Sequence, residues 1–110
     1  MSMNSVFEAV EPARKDIDAL DGAVVIEFGT PWCGYCRAVQ PLLESAFADH
    51  PAVRHIKIED GKGRRLGRSF RVSLWPTLVF LCDGEEKIRL VRPDDRREIS
   101  QALALIDPPG

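Results

Sequence analysis

Ala23-Val24-Val25-Ile26-Glu27-Phe28-Gly29-Thr30-Pro31-Trp32-Cys33-Gly34-Tyr35-Cys36 is the stretch on which the reading of this chain turns. Its first half, after Asp21-Gly22, is an almost continuous apolar run, the pattern of a strand buried on both faces of a parallel or mixed sheet. One acid, Glu27, interrupts it. Gly29-Thr30-Pro31-Trp32 closes the strand. From Gly34 onward Val39, Leu42, Leu43, Ala46 and Phe47 recur at spacings of three and four, so a helix begins just after the first cysteine. Asp49-His50-Pro51 ends that helix, and Pro41 inside it removes one backbone hydrogen bond. A strand, a turn and a helix thus set Cys33 at a helix N-terminus, with Cys36 one turn deeper.

Outward from this unit the pattern keeps alternating. Val53-Arg54-His55-Ile56-Lys57-Ile58 reads as a second strand, half apolar. Glu59 to Val72 is charged and holds three glycines, which predicts a short or irregular helix with loops. Pro76-Thr77-Leu78-Val79-Phe80-Leu81-Cys82 is a dense run of strand formers closed by Asp83-Gly84, and Lys87-Ile88-Arg89-Leu90-Val91 pairs with it as a hairpin. Asp94 to Ile106 forms a last helix with Ile99, Leu103 and Ile106 on one face. Upstream, Val6–Val10 reads as an edge strand and Pro12–Leu20 as a helix. The sum is β-α-β-α-β-α-β-β-α, an α/β sheet covered by helices on both faces. The expected organisation is one domain over 1–110, with frayed ends at 1–5 and 107–110.

Composition narrows the function. The chain has 110 residues, 45% hydrophobic and 29% charged, with a formal charge of −2, which excludes a globally basic nucleic-acid binder. The first eight residues lack a basic segment followed by an apolar one, and no apolar run approaches membrane-spanning length, so a soluble, cytoplasmic protein is expected. Charge is unevenly spread. Residues 1–60 hold five bases and ten acids, and residues 61–110 ten bases and seven acids. Lys62, Arg64, Arg65, Arg68 and Arg71 form a run without an acid, either a solvated face or a docking face for an acidic partner.

Three cysteines cannot all pair within one chain. Cys33 and Cys36 form a C-x-x-C, which alone is a weak signal because half of many zinc sites looks the same. His50, His55 and Cys82 are the only candidates to complete such a site, and none has a paired ligand spacing, so no metal is expected. Context favours redox chemistry. The free N–H groups and dipole of a helix N-terminus stabilise a thiolate at Cys33, which makes it the attacking nucleophile and leaves Cys36 as the resolving thiol. Gly34 and Tyr35 between them tune geometry. Cys82, at a strand end, reads as a small buried hydrophobe.

Phe28-Gly29-Thr30-Pro31-Trp32-Cys33-Gly34-Tyr35-Cys36, then Pro41, Trp75-Pro76-Thr77 and Asp83-Gly84, resembles the thioredoxin family in order and spacing from about Val6 to Ile106. The resemblance implies a thioredoxin fold, a central five-stranded mixed sheet flanked by four helices. It implies thiol–disulfide exchange on client proteins, recharging by a reductase, and no metal or organic cofactor. It also implies that Pro76 is a cis-proline packed against the dithiol, beside backbone that pairs with an extended client. Glu27 matches a buried acid, usually Asp, that moves a proton to or from the resolving cysteine, with His55 and Lys57 nearest to the lysine that commonly accompanies it. Trp32 is expected over the active rim. Trp75 and Arg92 stand where smaller residues are usual and are expected to reshape the client groove, and Gly29 stands where a second tryptophan is common. A monomer, with no nucleic-acid or membrane partner, is expected. Two other readings stay open: a partner-binding or chaperone-like module with a regulatory dithiol, and metal bridging by Cys33 and Cys36 of two chains.

Overall fold

The strand at the centre of the sequence is also the centre of the sheet. In the computed structural model, which describes residues 3–107, the order is α1 (Arg14–Asp18), β1 (Ala23–Gly29), α2 (Gly34–Phe47), β2 (Arg54–Glu59), α3 (Arg65–Ser69), β3 (Thr77–Cys82), β4 (Glu85–Val91) and α4 (Arg96–Ile106). The described sheet runs β2-β1-β3-β4. β1 pairs in parallel with β2 and antiparallel with β3, and β3 pairs antiparallel with β4. This is an α/β thioredoxin-like arrangement of four helices on a mixed sheet.

Both sheet faces are covered, which is why β3 and, apart from Glu27, β1 read as apolar runs. Val25, Leu78 and Phe80 pack on one face against Val39, Leu43 and Phe47 of α2 and Ile99 and Leu103 of α4. Val24, Ile26, Phe28, Ile56, Ile58 and Val79 point the other way, toward Ile17 of α1 and Leu66 of α3. Alternate residues of each strand thus serve opposite cores, and each fully buried Leu, Ile or Phe contributes about 1.5–3 kcal/mol. Glu27 shares the parity of Val25, so it faces α2. On the paired strand His55 and Lys57 have the opposite parity to Ile56 and Ile58 and face α2 as well.

Among the described residues the sheet has four strands where five were expected. Val6–Val10 supplies only an isolated parallel bridge, Phe7 with Lys57, in which the Glu8 N–H donates to the Lys57 carbonyl. The segment bends because Asn4 Oδ1 accepts the Val6 N–H, and Val6 and Val10, at 68% and 82% exposure, bury nothing that would hold a strand down. Only Phe7 finds a partner for its ring, Lys57 Nζ at 4.6 Å from the centroid. The first helix is likewise shorter than Pro12–Leu20, because Ala13 is still extended.

The expected frayed ends lie partly outside the described residues. Within them, Met3 packs against the core, Asn4 N–H donates to His55 Nδ1 at 2.8 Å, and Asp107 Oδ2 lies 2.6 Å from His50 Nδ1. The β3–β4 hairpin turns through Asp83 and Gly84 alone, both with positive φ (51° and 79°), a two-residue turn whose twist suits antiparallel strands. A Cβ at Gly84 would strike the Asp18 backbone carbonyl, so glycine there also lets the hairpin dock against α1.

Candidate active site

Cys33 caps α2. Its backbone is extended (φ −79°, ψ 122°), and its Sγ accepts the Cys36 N–H at 3.2 Å, meeting one of the free donors of the first turn. Cys33 is 8% exposed and Cys36 3%, and both are free thiols. Burial, reinforced by the hydrogen bond with Cys33, pushes the Cys36 thiol from its ordinary 9.0 up to about 12, with a Thr30 backbone bond pulling the other way. Gly29 packs against Cys36: a Cβ there would lie 2.6 Å from the Cys36 Sγ, so a larger residue would require that thiol to shift. The residue that stands where a tryptophan was noted as common is therefore packed directly against the second thiol.

The loop before β3 meets the dithiol from the other side. The Trp75–Pro76 peptide bond is cis, as the resemblance implied, and Pro76 is buried. The Cys33 thiol lies 4.0 Å from the Trp75 carbonyl oxygen, in position to donate to it. That carbonyl also accepts Arg92 Nε–H at 2.8 Å, and the Arg92 guanidinium lies 4.1 Å from the centroid of the Tyr35 ring, within cation–π range. Arg92 takes φ +49°, a conformation that favours glycine, and holds it while its backbone N–H donates to the Pro76 carbonyl. Trp32, 67% exposed, meets Trp75 edge-to-face with centroids 5.6 Å apart. Trp32, Tyr35, Trp75, Pro76 and Arg92 thus lie in one rim with Cys33. At Gly34, in the same rim, a Cβ would face open space.

Glu27 lies beneath this rim, 1% exposed, with donors to both oxygens. His55 Nδ1 accepts the Asn4 N–H, which puts the ring proton on Nε2, and Nε2 donates to Glu27 Oε1 at 2.8 Å. Gln40 Nε2 donates to Glu27 Oε2 at 2.9 Å and to the Cys36 carbonyl at 2.8 Å. Lys57 Nζ stands 3.9 Å from Glu27 Oε2 and donates to Gln40 Oε1 at 3.3 Å. His55 and Lys57 together therefore take the place expected of a single lysine. Gln40 ties this cluster to the helix carrying Cys36. A cavity of about 250 Å³ touches Thr30, Cys36, Gln40 and Lys57, and Thr30 Oγ1 is buried there without a protein partner. Such a space has volume and polar groups enough to hold water.

Two contributors went unread in the sequence. Gln40 sits four residues after Cys36, one turn along the same helix face, and that spacing was the available signal. Asp60 directly follows β2; its Oδ2 accepts the Trp75 indole N–H at 2.8 Å and its backbone N–H donates to the Gly29 carbonyl. No local pattern marks it. Cys82 is half-buried and packs at the edge of the core, away from the dithiol loop. Among the described residues no group of three or more His, Cys, Asp or Glu side chains is placed to hold a metal ion, and no helix is long and apolar enough to cross a membrane.

Comparison with known proteins agrees with this geometry. The thioredoxin family profile matches residues 7–105. A thioredoxin of Chlamydia pneumoniae is 33% identical over 82 residues, which cover 74% of this chain and 80% of that one. A thioredoxin of Aspergillus fumigatus is 31% identical over 106 residues, covering 96% and 98%. The solved structure of thioredoxin 2 from Pseudomonas aeruginosa PAO1 in its reduced form is similar over 94% of this chain and 96% of its own, with 52% identity and a TM-score of 0.84.

Proposed function

The chain belongs to the thioredoxin family, and from that premise we propose that it works as a reductase of protein disulfides. Thiol–disulfide oxidoreductase activity is the family's chemistry, and the redox-active pair is Cys33 and Cys36. The direction of electron flow and the role of each residue are our reading. The observation that carries it is the asymmetry of the two thiols: both are buried, but Cys33 caps the helix and accepts the Cys36 N–H, while the Cys36 thiol is pushed up to about 12.

The Cys33 thiolate attacks one sulfur of the client disulfide. A mixed disulfide forms and the client's other sulfur leaves as a thiolate. Cys36 then gives up its proton and attacks Cys33 Sγ. The mixed disulfide breaks, the client leaves with both sulfurs reduced by the two electrons the pair has given up, and the pair is left oxidised as the Cys33–Cys36 disulfide. A reductase must restore the dithiol. Until the mixed disulfide forms, the high pKa keeps Cys36 protonated and out of competition for clients. Its proton leaves into the cavity beside Gln40 and Lys57, and Glu27, which bonds His55 and Gln40 rather than the sulfur, assists through Gln40. The client backbone lies along the Trp75–Pro76 loop, between Trp32 and Arg92. A single domain over 1–110 acting as a cytoplasmic monomer is the simplest setting for this cycle.

Catalytic reduction of a generic disulfide protein, with dithiothreitol as reductant, tests this reading; failure to accelerate it would contradict a reductase. The thiol asymmetry has its own test. Iodoacetamide at pH 8 is expected to modify Cys33 while Cys36 stays unmodified, as read by peptide mass spectrometry. The Cys36 shift also links to stability. Between 9.0 and about 12 the unfolded thiol is ionised while the folded one is still protonated. The stabilisation from a protonated Cys36 is therefore full below pH 9 and lost as pH climbs toward 12. Denaturation midpoints of the reduced protein should fall over that window more steeply than those of Cys36→Ser.

A further inference from the structure

Beside Trp75 lies an open cleft of about 560 Å³. Lys62, Arg64, Arg68 and Arg71 line it, with Asp60 as the one acid. Asp60 is already engaged, since its carboxylate holds the Trp75 indole and packs against Gly67. The Arg64 guanidinium stands 3.8 Å from Glu59, while Lys62, Arg68 and Arg71 have no acidic partner within ion-pair distance among the described residues. The cleft therefore carries uncompensated positive charge.

Arg71 makes the charge harder to dismiss as ordinary surface. It sits just past α3 with φ +57°, and the Val72 N–H reaches back to the Gly67 carbonyl, a helix ending in which glycine is the favoured occupant. An arginine held there at a conformational cost places its charge in the cleft.

We propose that this cleft binds an acidic stretch of the client chain next to its reactive disulfide. The proposal rests on the reading of the protein as a disulfide reductase and narrows its substrate class. Position carries the argument. The Trp75 carbonyl lies 4.0 Å from the Cys33 thiol and Trp75 also lines the basic cleft, so a client docked at Cys33 continues over Trp75 into it. The cations are spread along an open trough and are exposed or half-buried, which suits a run of side-chain carboxylates better than a small enclosed anion.

The test uses two disulfide-bonded peptides that share the sequence around the bridge, one continuing in an Asp/Glu tract and the other in a Ser/Gly tract. The intact protein is expected to reduce the acidic peptide with a kcat/KM about tenfold higher at low salt, the advantage vanishing at about 0.5 M salt. The triple variant Lys62→Gln/Arg68→Gln/Arg71→Gly is expected to lose that advantage while reducing the neutral peptide as the native protein does; glycine suits position 71, so folding is retained. Equal rates on both peptides in the native protein would overturn the proposal and leave the reductase reading intact. Reduction of neither would overturn both. A duplex oligonucleotide that displaces the acidic peptide and binds more tightly would overturn the proposal in favour of a nucleic-acid site.

Discussion

Cys33→Ser is expected to lower disulfide reduction by ~1,000-fold or more, to the level of the reductant alone, because no other thiol is placed to begin the exchange. Cys36 cannot stand in: it is buried and held protonated by a pKa of about 12, and Cys82 packs at the core edge away from the dithiol. Cys36→Ser is expected to fail differently. Cys33 still attacks, nothing resolves the mixed disulfide, and the client stays covalently attached. Non-reducing electrophoresis after incubation with a disulfide client should show a higher-mass adduct for Cys36→Ser and none for Cys33→Ser. An adduct with Cys33→Ser instead would reverse the roles assigned to the two thiols. Both variants should remain folded, since serine at Cys33 is a favoured helix cap and serine at Cys36 is close in size.

Glu27→Ala is expected to cost about 3–5 kcal/mol of stability, a large share of the ~5–15 kcal/mol usual for a domain. The loss is more than one side chain. His55 Nε2–H loses its acceptor, the Gln40 amide keeps only its bond to the Cys36 carbonyl, and the Lys57 ammonium, itself buried, loses the one carboxylate within ion-pair distance among the described residues. Each buried unmet donor carries a desolvation penalty of about 1–3 kcal/mol. Glu27→Gln keeps the volume and one acceptor, so it should lose roughly 1–3 kcal/mol and remain folded at room temperature. It is the variant on which the proton role is tested. With Glu27→Gln the mixed disulfide should resolve about 100-fold more slowly, and the pH dependence of resolution should change shape, whereas the rate of Cys33 attack stays as it was. Unchanged resolution would reduce Glu27 to a structural anchor.

What the sequence disclosed follows from what local pattern reports. β1 and β3 were legible because strands buried on both faces are apolar throughout, and the Asp83-Gly84 turn because few residue pairs take two positive φ values. The dithiol was legible because a strand, a turn and a helix placed it. The expected fifth strand does not form among the described residues. Val6–Val10 has the residues of a strand, but whether it pairs depends on the Asn4 bend and on what the other edge offers, and neither is local. Polar partnerships were lost for the same reason. Glu27 stood out as an acid in an apolar run, yet Gln40, which completes its hydrogen bonds, looks like any helical surface residue until β1 lies under α2. Asp60 and Trp75 are fifteen residues apart and meet only after α3 is in place. Arg92 was expected in the groove, but its contacts with the Trp75 carbonyl and the Tyr35 ring join three segments that periodicity cannot connect.

The central claim is that Cys33 and Cys36 form a reversible pair poised to send electrons to clients. Equilibrating the protein in graded dithiol buffers and quantifying the Cys33–Cys36 disulfide at each step measures this directly. The account predicts a reversible two-electron transition at a strongly reducing potential, about −270 mV, the value general for thioredoxins. A potential above about −200 mV would mark an oxidant or isomerase, and no reversible disulfide at all would contradict the redox reading of the site.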